Sequence, residues 1–79
     1  MIERKYTVIF EPAEEGGFVV HVPALPGCHT QGDTFEEALE MAKDAIEVYL
    51  ESLQIDGLPI PDDKPVLEYS IAAKLAIAV

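Results

Sequence analysis

The chain has 79 residues, 49% of them hydrophobic, with 15 acidic against 5 basic side chains and a formal net charge of −10. That length holds one domain with a modest core, and the apolar content excludes a disordered tail. The charge excludes autonomous DNA or RNA binding as a first reading, since phosphate contacts need clustered Lys and Arg and only Arg4 and Lys5 are adjacent.

A basic protein partner suits the charge better, because opposite fields speed encounter. So small a core also favours oligomerisation. Cys28 is the only cysteine, so an intrachain disulfide is impossible and a reducing compartment is expected. The N-terminus has no apolar stretch of signal-peptide length. The most apolar segment, residues 66–79, contains Glu68 and Lys74 and is shorter than the ~20 residues of a spanning helix. A cytoplasmic protein without a membrane segment is expected.

Residues 5–11 alternate, with Tyr6, Val8 and Phe10 on one face and Thr7, Ile9 and Glu11 on the other, which predicts a strand. Pro12 ends it, and residues 13–17, ending Gly16-Gly17, suit a hairpin connection. Residues 18–22 predict a second strand, with Phe18, Val20 and Val22 sharing a face. The Pro23-Ala24-Leu25-Pro26-Gly27 segment is a turn, since Pro26 presets one dihedral and Gly27 tolerates positive φ. Residues 28–31 predict a short third strand at an edge, broken by Gly32.

The helix is the clearest element. Thr34 followed by Glu37 is a capping-box pattern, with Asp33 and Glu36 as the alternative one residue earlier. Apolar residues fall at Phe35, Ala38, Leu39, Ala42, Ala45, Ile46, Tyr49, Leu50 and Leu53, the stripe of one buried helical face. Glu36, Glu40, Lys43, Asp44, Glu47 and Glu51 fall opposite. Gly57 terminates, and Pro59 and Pro61 forbid continuation. From Leu67 to Val79 odd positions are apolar, which predicts a last strand, long enough that a break near Ala72-Ala73 is allowed.

Connection rules assemble these elements into an α+β domain over residues 1–79, ordered β-β-β-α-β. The sheet is expected to be mixed and four-stranded, of order 3-2-1-4, with one long helix on one face. One helix cannot cover two faces, so Thr7, Ile9, Val19, His21, Ala72, Ala76 and Ala78 would lie uncovered. That face is apolar enough to call for a second protein.

Catalytic readings fare poorly. Cys28 and His29 are adjacent on a strand and point to opposite faces, so they cannot act as nucleophile and base. One cysteine and two histidines fall short of a metal ligand set. The helix carboxylates sit on the outer face rather than in a cleft, and Glu11 and Glu68 are isolated, so no nuclease metal cluster forms. Gly16-Gly17 opens no helix and is no phosphate loop. No cofactor and no enzymatic activity are expected. Interaction residues are placed instead on the sheet edge and open face: Val19, His21, Leu75, Ile77 and Val79, with Leu25 and Pro26 of the strand loop.

Residues 16–39 carry a series of motifs in order: Gly16-Gly17-Phe18, then Pro23-Ala24-Leu25-Pro26-Gly27-Cys28, then Gly32-Asp33-Thr34-Phe35-Glu36-Glu37-Ala38 opening a long helix. The series resembles the HicB-like antitoxins of toxin–antitoxin systems, over residues 6–61. The resemblance implies a partial ribonuclease-H-like β-β-β-α-β fold lacking the nuclease carboxylates. It also implies binding and neutralisation of a small basic mRNA-cleaving toxin of HicA type, whose own fold resembles a double-stranded RNA-binding domain. Many members carry a C-terminal DNA-binding module, and none is expected here. Many also have an acidic residue where Ala24 stands. The competing reading is a stand-alone, non-catalytic domain with a regulatory or small-ligand role. Either way a homodimer or higher even oligomer is expected.

Overall fold

Three short strands and one helix make up the regular structure of the computed structural model, which describes residues 3–76. They are β1 (Ile9–Pro12), β2 (Phe18–His21), β3 (His29–Gly32) and α1 (Phe35–Ile55). The sheet is antiparallel throughout, in the order β1-β2-β3. Ile9 faces His21 and Pro12 faces Phe18 across the first pair, while Phe18 faces Gly32 and His21 faces His29 across the second.

Local chemistry sets the strand ends. Gly16 and Gly17 take positive φ, and Ala13 N–H donates to Gly17 O at 3.0 Å, closing the first hairpin. β2 stops at His21 because Val22 N–H turns back to Cys28 O at 3.2 Å and Pro23 has no N–H. β1 therefore has no partner before Ile9, and its ladder is shorter than the alternation over residues 5–11 suggests. Gly32 is the last residue of β3 rather than its breaker.

Gly32 has a second role, since the first turn of α1 lies directly on it. A Cβ there would stand 2.6 Å from Ala38 Cα and 2.9 Å from Glu37 C. Thr34 caps the helix, its Oγ1 accepting Glu37 N–H at 3.1 Å, as the capping-box pattern anticipates. At the other end Gly57, at φ +69, gives a Schellman stop: Gly57 N–H donates to Gln54 O and Leu58 N–H to Leu53 O.

The core lies between sheet and helix in two joined clusters. Val20, Ala38 and Ala42 form one, lined by Val8, Phe10 and Phe18. Val22, Leu25 and Cys28 form the other, against Tyr6, Ala45, Ile46, Tyr49 and Leu50. The inward face of the sheet is thus the Tyr6, Val8, Phe10, Phe18, Val20, Val22 face. Phe35 closes the helix N-terminal end, its ring 5.0 Å from Phe10 and 6.0 Å from Phe18. Alanines at the contact let α1 sit close over β2 and β3.

Among the described residues the expected fourth strand, and with it the mixed sheet of order 3-2-1-4, does not form: the sheet has three strands and the order of elements is β-β-β-α. After the helix, residues 61–63 lie beside residues 6–7, but side chains make the contacts. Tyr6 OH donates to Pro61 O at 2.6 Å, and the Asp63 carboxylate accepts Thr7 N–H and Thr7 Oγ1–H at 2.8 Å each. A carboxylate thus takes the Thr7 N–H, and Pro61 and Pro65 have no N–H to give. Residues 66–76 run on without secondary structure and are exposed along their whole length. Alternation specifies which side chains would share a face; it does not supply an edge to pair with.

Two predictions follow from this geometry. Gly32→Ala forces a methyl into helix backbone that cannot yield, so it should cost about 1–3 kcal/mol or more, read as a lowered urea midpoint. The three bonds from Thr7 and Lys64 hold the Asp63 carboxyl below the ordinary aspartate range, the Thr7 N–H contributing most. A depressed carboxylate contributes its stabilisation above its unfolded-state value and loses it as pH falls through the folded one. The Thr7 amide resonance should therefore titrate below the usual aspartate range, and Asp63→Ala should abolish that titration.

Candidate functional site

The open sheet face carries Ile9, Glu11, Val19, His21, His29 and Gln31, since each cross-strand pair shares a face. Glu11 Oε1 stands 3.8 Å from His21 Nδ1, and the His21 and His29 rings are 6.2 Å apart. The Glu11–His21 contact is an ion pair only when the imidazole is protonated. Among the described residues no three His, Cys, Asp or Glu side chains gather where they could hold a metal ion. Cys28 is buried, and desolvation pushes its thiol pKa up, so it stays protonated at neutral pH. The arrangement offers neither an activated nucleophile nor a cleft carboxylate pair.

Of the sequence-predicted interaction residues, Val19 and His21 do share the open sheet face, Val19 being 47% exposed and His21 half-buried. Leu25 is in the core, plugging the space under Tyr49 and Leu50, so it holds the loop rather than offering a surface. Pro26 is exposed, and its carbonyl accepts Tyr49 OH at 2.9 Å, tying the loop to the helix. Leu75 is exposed in the segment that follows the Pro61 and Asp63 contacts, outside the sheet. Ile77 and Val79 lie outside the described residues. Of the described candidates, the structure brings together Val19 and His21 on one face and places Leu25, Pro26 and Leu75 elsewhere.

The helix has two apolar flanks, one on each side of its buried line. On the β3 side a groove of about 540 Å³ runs past His29, Met41, Asp44, Val48, Leu53 and Asp56. On the β1 side a larger groove of about 800 Å³ separates Tyr6 and Val8 from Leu39, Ile46 and Leu50. Sequence reasoning missed the row Met41, Val48 and Ile55, all exposed. Its signal was present: the three are spaced seven apart, two helical turns, off the main stripe. Between the flanks, the outward line carries Glu36, Glu40, Asp44, Glu47 and Glu51, all exposed.

No helix among the described residues is long and apolar enough to cross a membrane. Comparison with known proteins gives a consistent picture. Residues 6–76 match the family model described as the HicB-like antitoxin of bacterial toxin–antitoxin systems. A UPF0150 protein of Thermoplasma acidophilum is 56% identical over 59 residues, covering 75% of this chain and 86% of the relative. A UPF0150 protein of Synechocystis is 48% identical over 58 residues, 73% of each chain. Antitoxin HicB 1 of Photorhabdus laumondii is 45% identical over 74 residues, 94% of this chain. The aligned part is 48% of that longer antitoxin, so this chain spans about half of it. The match runs through the sheet, the helix and the segment after it, and the chain belongs to the HicB-like antitoxin family of toxin–antitoxin systems.

Proposed function

We propose that this chain binds and neutralises a small basic mRNA-cleaving toxin of HicA type, without catalysis of its own, in the cytoplasm where such a toxin acts. The family match over residues 6–76 carries this reading. The electrostatics support it: a protein of net charge −10 draws in a basic partner and repels nucleic acid.

The docking surface we assign is the β3 side of α1. Met41, Val48 and Ile55 give an apolar row, and Asp44, Glu51 and Asp56 flank it with negative charge. Apolar anchors ringed by charge complementary to the partner are the usual anatomy of such an interface. The open sheet face around Val19 and His21 is a second contact area that a larger footprint would reach.

Co-expression with a HicA-type toxin should restore growth of cells that the toxin arrests, and the two proteins should co-purify. Val48 is 62% exposed, so Val48→Arg leaves the fold intact. It replaces an apolar anchor with a charge of the toxin's own sign and should weaken the complex roughly tenfold or more. Glu47→Lys with Glu51→Lys should mainly slow association, an effect that shrinks as salt rises. No growth rescue and no complex at micromolar concentration would sink the proposal.

A further inference from the structure

We infer that His21 and His29 form a binding site for a divalent transition-metal ion of the Zn2+ and Ni2+ class on the open sheet face, with Glu11 positioning one of the two imidazoles. That face is turned away from the core and from the helix flank assigned to the toxin. Three neighbouring strands contribute one side chain each: Glu11 from β1, His21 from β2 and His29 from β3.

The register brings the imidazoles together. His21 and His29 are direct cross-strand partners, and in the next pair along Val22 N–H donates to Cys28 O. Hydrogen-bonded and non-hydrogen-bonded pairs alternate in an antiparallel ladder, so His21 and His29 are a non-hydrogen-bonded pair, the kind whose side chains stand closest. Their ring centroids are 6.2 Å apart. An imidazole nitrogen binds Zn2+ at about 2.0–2.1 Å, which places the ion roughly 3.2 Å from the ring centre. Two rings on one ion can then have centres up to about 6.4 Å apart, or about 5.2 Å at a tetrahedral angle. The observed separation lies inside that limit. His29 is exposed and His21 half-buried, so side-chain rotation alone can close the remaining gap.

Glu11 Oε1 stands 3.8 Å from His21 Nδ1. An ion on Nε2 leaves the ring proton on Nδ1, toward this carboxylate. A carboxylate behind a ligating histidine fixes the tautomer and raises the basicity of the other nitrogen. The donors select the ion: imidazole suits Zn2+, Ni2+ and Cu2+, whereas Ca2+ and Mg2+ take oxygen ligands. With no third protein ligand gathered there among the described residues, water fills the other positions, and the site is open and exchangeable rather than structural. The net charge of −10 raises the local concentration of any cation.

The purified full-length chain, titrated with Zn2+ and followed by NMR, should bind one ion with the His21 and His29 ring resonances shifting together, and Ca2+ should shift neither. His21→Gln and His29→Gln should each weaken binding at least about tenfold, with the metal-free circular dichroism unchanged because neither ring is in the core. Electron paramagnetic resonance of the Cu2+-loaded wild-type chain should show two nitrogen ligands, a readout independent of how the variants fold. Glu11→Gln should lower the share of His21 rings protonated at Nδ1 before metal is added; an unchanged share overturns its positioning role. No ring shift at millimolar Zn2+ overturns the site. So does Zn2+ binding that neither histidine variant weakens, which would put the ion on surface carboxylates. None of these measurements uses the toxin, so their failure leaves the toxin reading standing.

Discussion

The contact between Gly32 and the first turn of α1 decides where everything else falls. With no side chain at Gly32, the helix backbone at Ala38 can rest on the end of β3. Ala38 and Ala42 continue the close approach over Val20. A helix drawn so tightly to one side of a three-stranded sheet cannot also cover the far strand. The groove beside Tyr6 and Val8 is the geometric remainder of that choice. The acidic line of α1 is turned outward by the same docking, because the buried line is fixed by the two alanines.

Much of this was legible in the residues. Thr34 and Glu37 announced the helix start, Gly57 its end, and the inward row Phe18, Val20, Val22 followed from alternation. These signals are local, and local signals survive because each is satisfied by neighbours within a few residues. Gly32 misled for the opposite reason. Its value is a contact with Glu37 and Ala38, and seen from its immediate neighbours it looks like a breaker. Leu25 misled in the same way: loop residues are commonly exposed, but the tie from Tyr49 OH to Pro26 O draws this loop onto the helix and buries Leu25.

The fourth strand failed on a different ground. Residues 67–75 have the period of a strand as cleanly as any part of the chain. A period, however, reports only how side chains would divide between two faces. Pairing also needs backbone donors and acceptors on a free edge, and at Thr7 the donor is already taken by Asp63. Which group takes the Thr7 N–H depends on two residues 56 positions apart, which no pattern within the segment encodes.

The apolar row and the acidic line of α1 act together. Met41, Val48 and Ile55 lie on the β3-side flank, away from Leu39, Ile46 and Leu50, and Asp44 and Glu51 stand exposed beside the row. An exposed apolar row alone invites indiscriminate association. Bordered by carboxylates of one sign on a chain of net charge −10, it repels an acidic surface and admits a basic one. The same side chains that keep the helix solvated on its outer face thus select the charge of what can cover its flank.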